Sequence, residues 1–139
     1  MKFYQLLNLI ENKTKYIGYQ GRSTKGLKNL VHNGKGWFAS HRGVAVQFAD
    51  IHKHNELVNQ DEKDFKIDNS ELKGEVYKAE LDIKNPLIIP IEKTLWNRDR
   101  ERKYIKQAKE NGNDGLIIMN KDNTPRSFVV FDNKQIKVL

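Results

Sequence analysis

The chain has 139 residues, 37% of them hydrophobic and 31% charged, which is enough for one domain with a real core and too few for two. It contains no cysteine, so a disulfide scaffold and a thiolate metal site are both excluded and the redox compartment is not readable. A formal net charge of +7 favours phosphate-bearing or acidic partners, although lysines also simply solvate a surface.

Taken in order, Phe3, Leu6, Leu7 and Ile10 form an i, i+3, i+4, i+7 stripe, so residues 3–12 read as an amphipathic helix, packed on the outside of the domain or docking a partner. The start does not read as a signal peptide, and no apolar run reaches the length of a membrane span. Residues 12–15 read as a loop. Residues 16–21 read as a first strand ending at Gly21. Ser23 or Thr24 can cap a short helix over 25–33, with Leu27, Leu30 and Val31 inward. A strand end, a glycine and a helix N-terminus suit an anion or a carboxamide, and an ordinary capped turn has the same pattern.

The chain is organised around Gly34-Lys35-Gly36-Trp37-Phe38-Ala39-Ser40 and the Val44–Ala49 segment that follows. Gly34 and Gly36 permit a tight turn or a close approach to a ligand. Phe38 fits the buried side of a short strand, and Val44, Ala45 and Phe48 fit one face of a short helix. Such an arrangement can hold a flat ring between Trp37 and Phe48 with Ser40 in hydrogen-bonding reach, although by residue type alone such aromatics are more often core. Residues 50–73 are charged and rich in histidine, and read as a helix tail and a loop over a pocket. His41, His52 and His54 with Asp50 and Glu56 do not complete a metal-ligand spacing, so a solvated segment is the expectation and no metal is expected.

Tyr77, Ala79, Leu81 and Ile83 alternate as a half-buried strand, broken by Asn85-Pro86, after which 87–91 is a short strand or strap. Thr94 can cap a helix with Trp96, Tyr104, Ile105 and Ala108 inward, its charged run 98–103 forming a solvated face that stops near Gly112. Residues 116–119 and 128–131 read as strands joined through a turn at 120–124, and 135–139 as a last strand. The whole reads as one α+β domain, 1–139, around a mostly antiparallel sheet with flanking helices.

Three separated motifs resemble the ADP-ribosyltransferase superfamily, in its branch with a His-Tyr-Glu triad, and small phage and polyvalent-protein domains in particular. Tyr19-Gln20-Gly21-Arg22-Ser23 is similar to a His-Gly-Ser/Thr strand end. Gly34-Lys35-Gly36-Trp37-Phe38 with Ala45 and Phe48 is similar to the second motif. Ser127-Phe128-Val129-Val130-Phe131-Asp132-Asn133-Lys134-Gln135-Ile136 is similar to the third, and Lys84–Leu87 and Asn113–Ile118 also resemble phage members.

The resemblance, which covers about 16–139, implies a split sheet and a cleft for NAD. The triad positions hold Gln20, Trp37 and Ser127. By the resemblance, Gln20 meets a ribose, the Gly21 backbone holds the carboxamide, and the aromatics sandwich the nicotinamide. Gly21, Arg22, Ser23, Phe38, Ser40 and Phe48 then form the NAD-binding set. Ser127 lacks the charge that a triad Glu offers a developing cation, so Ser127→Glu is expected to raise NAD hydrolysis. The implied partners are NAD and a macromolecular acceptor, protein or nucleic acid. The protein is expected to be a monomer without a membrane partner, in the cytoplasm, a host's if phage-encoded. A binding module that holds NAD or ADP-ribose without turnover is the alternative, followed by a protein that keeps only the fold.

Overall fold

The computed structural model describes residues 14–27, 29–56, 67–94 and 98–139. The expected helix at 3–12, Trp96 and residues 57–66 of the expected 50–73 loop lie outside them. The strands are β1 (Lys15–Arg22), β2 (Gly36–Ala39), β3 (Glu75–Asp82), β4 (Pro86–Pro90), β5 (Gly115–Met119), β6 (Pro125–Val130) and β7 (Ile136–Val138). Four α-helices lie among the described residues: α1 (Arg42–Ala49), α2 (Ile51–Glu56), α3 (Ile91–Thr94) and α4 (Arg98–Glu110). Thr94 ends the one-turn α3, and α4 starts at Arg98.

The strands form one curled seven-stranded sheet in the order β4-β5-β6-β2-β1-β3-β7. Each pair is antiparallel except β4–β5, whose connection runs through α3 and α4, as a parallel crossover requires. The expected α+β class with a mostly antiparallel sheet is therefore what the chain adopts. Pro86 and Pro90 bound β4, an edge strand, where a missing N–H costs no ladder bond on the open side.

Strand alternation divides the apolar residues between two faces. The inner face carries Tyr16, Phe38, Tyr77, Ala79, Leu81, Ile117, Phe128 and Val130, all buried in one cluster that also takes in Ile83. Tyr77, Ala79, Leu81 and Ile83 thus face inward as the alternation predicts. On the outer face, α1 packs over β1 and β3 through Ala45, Val46 and Ala49 against Val76. Helix α4 packs at the other end, Ile105 and Ala108 against Leu116 and Val129.

One corner explains the two supporting motif pieces. The Asp114 carboxylate accepts the N–H groups of Lys84 and Asn85, each at 2.8 Å, and Asn113 Nδ2 donates to the Asn85 carbonyl at 3.2 Å. Gln135 Nε2 donates to the carbonyls of Asp82 (3.0 Å) and Asp114 (2.8 Å), while its Oε1 accepts from the N–H of Phe131 and of Asp132. These side chains replace ladder bonds where strands end, which satisfies backbone groups that would otherwise be orphaned.

The helix expected at 25–33 does not form. Gly26 sits at φ +78°, and nearby amides are taken by distant side chains: Gly26 N–H by Glu75 Oε2, Leu27 N–H by the Tyr77 hydroxyl at 2.7 Å, Leu30 N–H by Asn133 Oδ1. The segment then closes in a hairpin turn. His32 and Lys35 exchange two backbone hydrogen bonds, with Asn33 at φ +52° and Gly34 at φ +74°. A type I′ turn requires that pair of positive φ angles, and Asn-Gly supplies it. Leu30 is nonetheless buried as expected, with Leu27 and Val31 packed beside it.

Candidate functional site

The outer face has two helices with a gap between them, and β2 lies under the gap. Trp37 pairs with Val129 and Tyr19 with Ala39, so by alternation Tyr19, Gly21, Trp37, Ala39, Ser127 and Val129 share this face. Helix α1 approaches it through small residues. Its buried side is Gly43, Ala45, Val46 and Ala49. The expected face of Val44, Ala45 and Phe48 is therefore corrected: only Ala45 is buried, Val44 is partly covered, and Phe48 is 51% exposed. The reason is that the α1 backbone sits directly on Gly21, where no larger face would fit.

Phe48 projects from α1 towards Trp37, and the ring centroids are 5.4 Å apart at 61°, an edge-to-face contact. No third ring fits between them as they stand, so a planar ligand has to stack on an exposed face of the pair or turn Phe48 aside. Gly21, Trp37 and Phe48 line a cleft of about 450 Å³ together with Gln20, Arg22, Leu30, His32, Lys35 and Glu101.

Of the other expected site residues, Gln20 and Arg22 line this cleft and Phe38, Ser23, Ser40 and Ser127 do not. Phe38 alternates with Trp37 and is wholly buried in the inner core. Ser23 is exposed in the loop after β1, and Ser40 donates its N–H to the Arg126 carbonyl at 3.0 Å. Neither is among the cleft-lining residues. Ser127 faces the same side of the sheet as Trp37 on the neighbouring strand, but it is 2% exposed and does not line the cleft. Gln20 borders the cleft, yet its amide is committed: Nε2 donates to the carbonyls of Leu30 and Trp37, each at 3.0 Å, and Oε1 accepts from Arg22 at 3.3 Å. Gln20 thus fixes the loop before β2 and aims Arg22, with no donor left over. Gly36, expected to allow a tight turn or a close approach to a ligand, has the Leu30 carbonyl 2.7 Å from where a Cβ would stand.

Compared with protein-family models, curated proteins and solved structures, the chain has no significant match.

Sequence reasoning missed Glu101, Lys35 and His32 as cleft residues. Glu101 is the one carboxylate among the residues lining the cleft, and it pairs with Lys35 Nζ at 3.7 Å. Its run, 98–103, reads as a solvated helix face because nothing local marks the side of α4 that turns towards β2. Each aspartate near the motifs is occupied with its own backbone neighbourhood. Asp132 caps the 3₁₀ turn Asn133–Gln135, Asp122 accepts from the Thr124 N–H, and Asp50 accepts from the N–H groups of Lys53 (3.2 Å) and Lys73 (3.1 Å). Among the described residues no group of three His, Cys, Asp or Glu is placed to hold a metal ion.

Asp50 anchors the helix that carries Phe48. The Lys73 N–H holds its carboxyl below the ordinary 3.8, against a smaller opposing effect of desolvation, with the Lys53 N–H adding to the lowering. A carboxyl whose pKa is depressed on folding contributes stability above its unfolded pKa and loses it as pH falls through the folded one. The stability gap between wild type and Asp50→Asn is expected to be full above about pH 4 and to close below it. Urea denaturation across pH 2.5–7 measures this, and a gap independent of pH would remove Asp50 from the role.

Proposed function

We propose that this chain is an ADP-ribosyltransferase-like domain that binds NAD in the outer-face cleft and transfers ADP-ribose to a macromolecular acceptor. One observation carries the reading. The three resembling segments are more than 100 residues apart from first to last, yet β1, β2 and β6 are consecutive at the centre of the sheet, in the order β6-β2-β1. Gly21, Trp37 and Phe48, which the resemblance assigns to the nicotinamide end, meet in one cleft.

In this reading the nicotinamide stacks on Trp37 and Phe48, and Arg22 and Lys35 lie where a pyrophosphate would be neutralised. The ribose–nicotinamide C–N bond breaks, nicotinamide leaves neutral with the bonding pair, and the positive charge passes to the ribose. An acceptor nucleophile then bonds to that carbon and releases its proton. Glu101 supplies the negative charge that stabilises such an oxocarbenium-like centre, which Ser127 cannot.

A ligand that binds only the folded state raises its melting temperature. Millimolar NAD is expected to raise that of the wild type. Trp37→Ala and Phe48→Ala should each weaken binding by about 1 kcal/mol, roughly five-fold, through lost stacking. A wild type that does not respond to NAD by thermal shift or calorimetry would end this reading.

The second reading, a domain that binds NAD or ADP-ribose without turnover, is favoured by two positions. Ser127 is buried away from the cleft, and the Gln20 amide is already committed. NAD binding without nicotinamide release in the presence of cell extract is its signature.

A further inference from the structure

A second groove adjoins the cleft and shares Lys35 with it. It has a volume of about 460 Å³, and Lys35, Arg102, Lys106 and Lys109 line it, with Ile105 and Glu110. Arg102, Lys106 and Lys109 stand at i, i+4 and i+7, so α4 presents them along one side. Lys109 is steadied over the Phe131 ring at 5.0 Å, and Lys35 is drawn by Glu101 towards the cleft. Four cations thus form a row, with Glu110 in the groove and Glu101 beside Lys35 as the two carboxylates among them, and Lys35 joins the row to the cleft of Trp37 and Phe48.

We propose that this groove is a track for the phosphate backbone of single-stranded nucleic acid, leading the strand to the cleft; its service as the acceptor's track rests on the transferase reading above. A row of cations ending beside the half-exposed Phe48 ring is the combination that single strands require: charge along the backbone and a flat face for an unstacked base. An acidic polypeptide would use the charge alone, whereas a single strand also offers bases that can stack on the half-exposed Phe48 ring. The half-exposed Phe48 at the end of the row decides between these partners.

The test is fluorescence anisotropy with labelled 20-nucleotide single-stranded RNA and DNA, from 50 to 300 mM salt. Wild type is expected to bind, with a slope of log K against log salt of about −2 to −3 for three or four phosphate contacts. Arg102→Gln/Lys106→Gln should weaken binding about ten-fold and flatten the slope by roughly one unit or more. Both residues are exposed and neither lines the cleft, so the NAD thermal shift of this variant should match wild type. If the pair lowers the melting temperature, Arg102→Lys/Lys106→Arg serves as the folded, charge-retaining control and should bind as wild type does. No binding at 50 mM salt, or equal binding by wild type and the Gln pair, overturns the proposal. Polyglutamate that competes as well as an oligonucleotide of equal charge overturns it in favour of an acidic protein. Nucleic-acid binding with no response to NAD would sink the transferase reading and leave the track standing.

Discussion

Gly21→Ala should lower the melting midpoint by roughly 10 °C or more, corresponding to about 3 kcal/mol in a chain of this length. A Cβ there would stand 1.8 Å from the Ala45 carbonyl oxygen, 2.8 Å from the Ala45 carbonyl carbon and 3.0 Å from Ala49 N. All three are backbone atoms of α1, so no rotamer change relieves the clash and the helix has to lift off β1. The Ala45 and Val46 contacts with Val76 would go with it, and Phe48 would leave Trp37. A calorimetric scan with and without NAD reads both consequences. An unchanged midpoint would mean that α1 does not seat on Gly21. Gly21 is thus required by packing whether or not its backbone also holds a ligand.

Glu101→Gln should reduce nicotinamide release by roughly a hundred-fold or more, the usual scale for removing one preorganised charge from a transition state. Glutamine keeps the shape and loses the charge, so NAD affinity should change far less than turnover. That split separates a role in the transition state from a structural one. The measurement is single-turnover nicotinamide release at saturating NAD for wild type, Glu101→Gln and Ser127→Ala. Ser127→Ala is expected to stay near wild type, because Ser127 does not line the cleft. For the same reason the expectation for Ser127→Glu changes: at 2% exposure a carboxylate there would have to be desolvated, so the replacement should cost stability rather than restore a catalytic charge. Equal turnover by wild type and Glu101→Gln would remove Glu101 from the chemistry.

Much of the local structure could be read from residue pattern, and the failures have physical causes. Tyr77, Ala79, Leu81 and Ile83 keep a period of two, so the strand and its buried side follow from alternation. The Leu27, Leu30, Val31 spacing looks helical, but His32-Asn33-Gly34-Lys35 carries the stronger hairpin signal, and Gly26 with the far-off acceptors Glu75, Tyr77 and Asn133 keeps the segment irregular. Val44, Ala45 and Phe48 share one side of a short helix by spacing, but spacing alone does not say which side of that helix is buried. The face that seats is the small one, since a helix lying backbone-down on glycine excludes bulk.

By itself the amino-acid order determined the α+β class, the strand faces and the absence of cysteine chemistry, because each depends on short-range periodicity or on composition. Only the tertiary structure decided the rest. It set β1, β2 and β6 side by side, brought Phe48 edge-on to Trp37, committed the amides of Gln20 and Gln135 to backbone carbonyls, buried Ser127, and turned Glu101 to the cleft and Arg102 and Lys106 to the adjoining groove. The reason is that a charged residue on an amphipathic helix has the same local pattern whether it faces water or a neighbouring strand. Which of the two it meets depends on where the sheet places α4, through contacts between residues far apart in the chain.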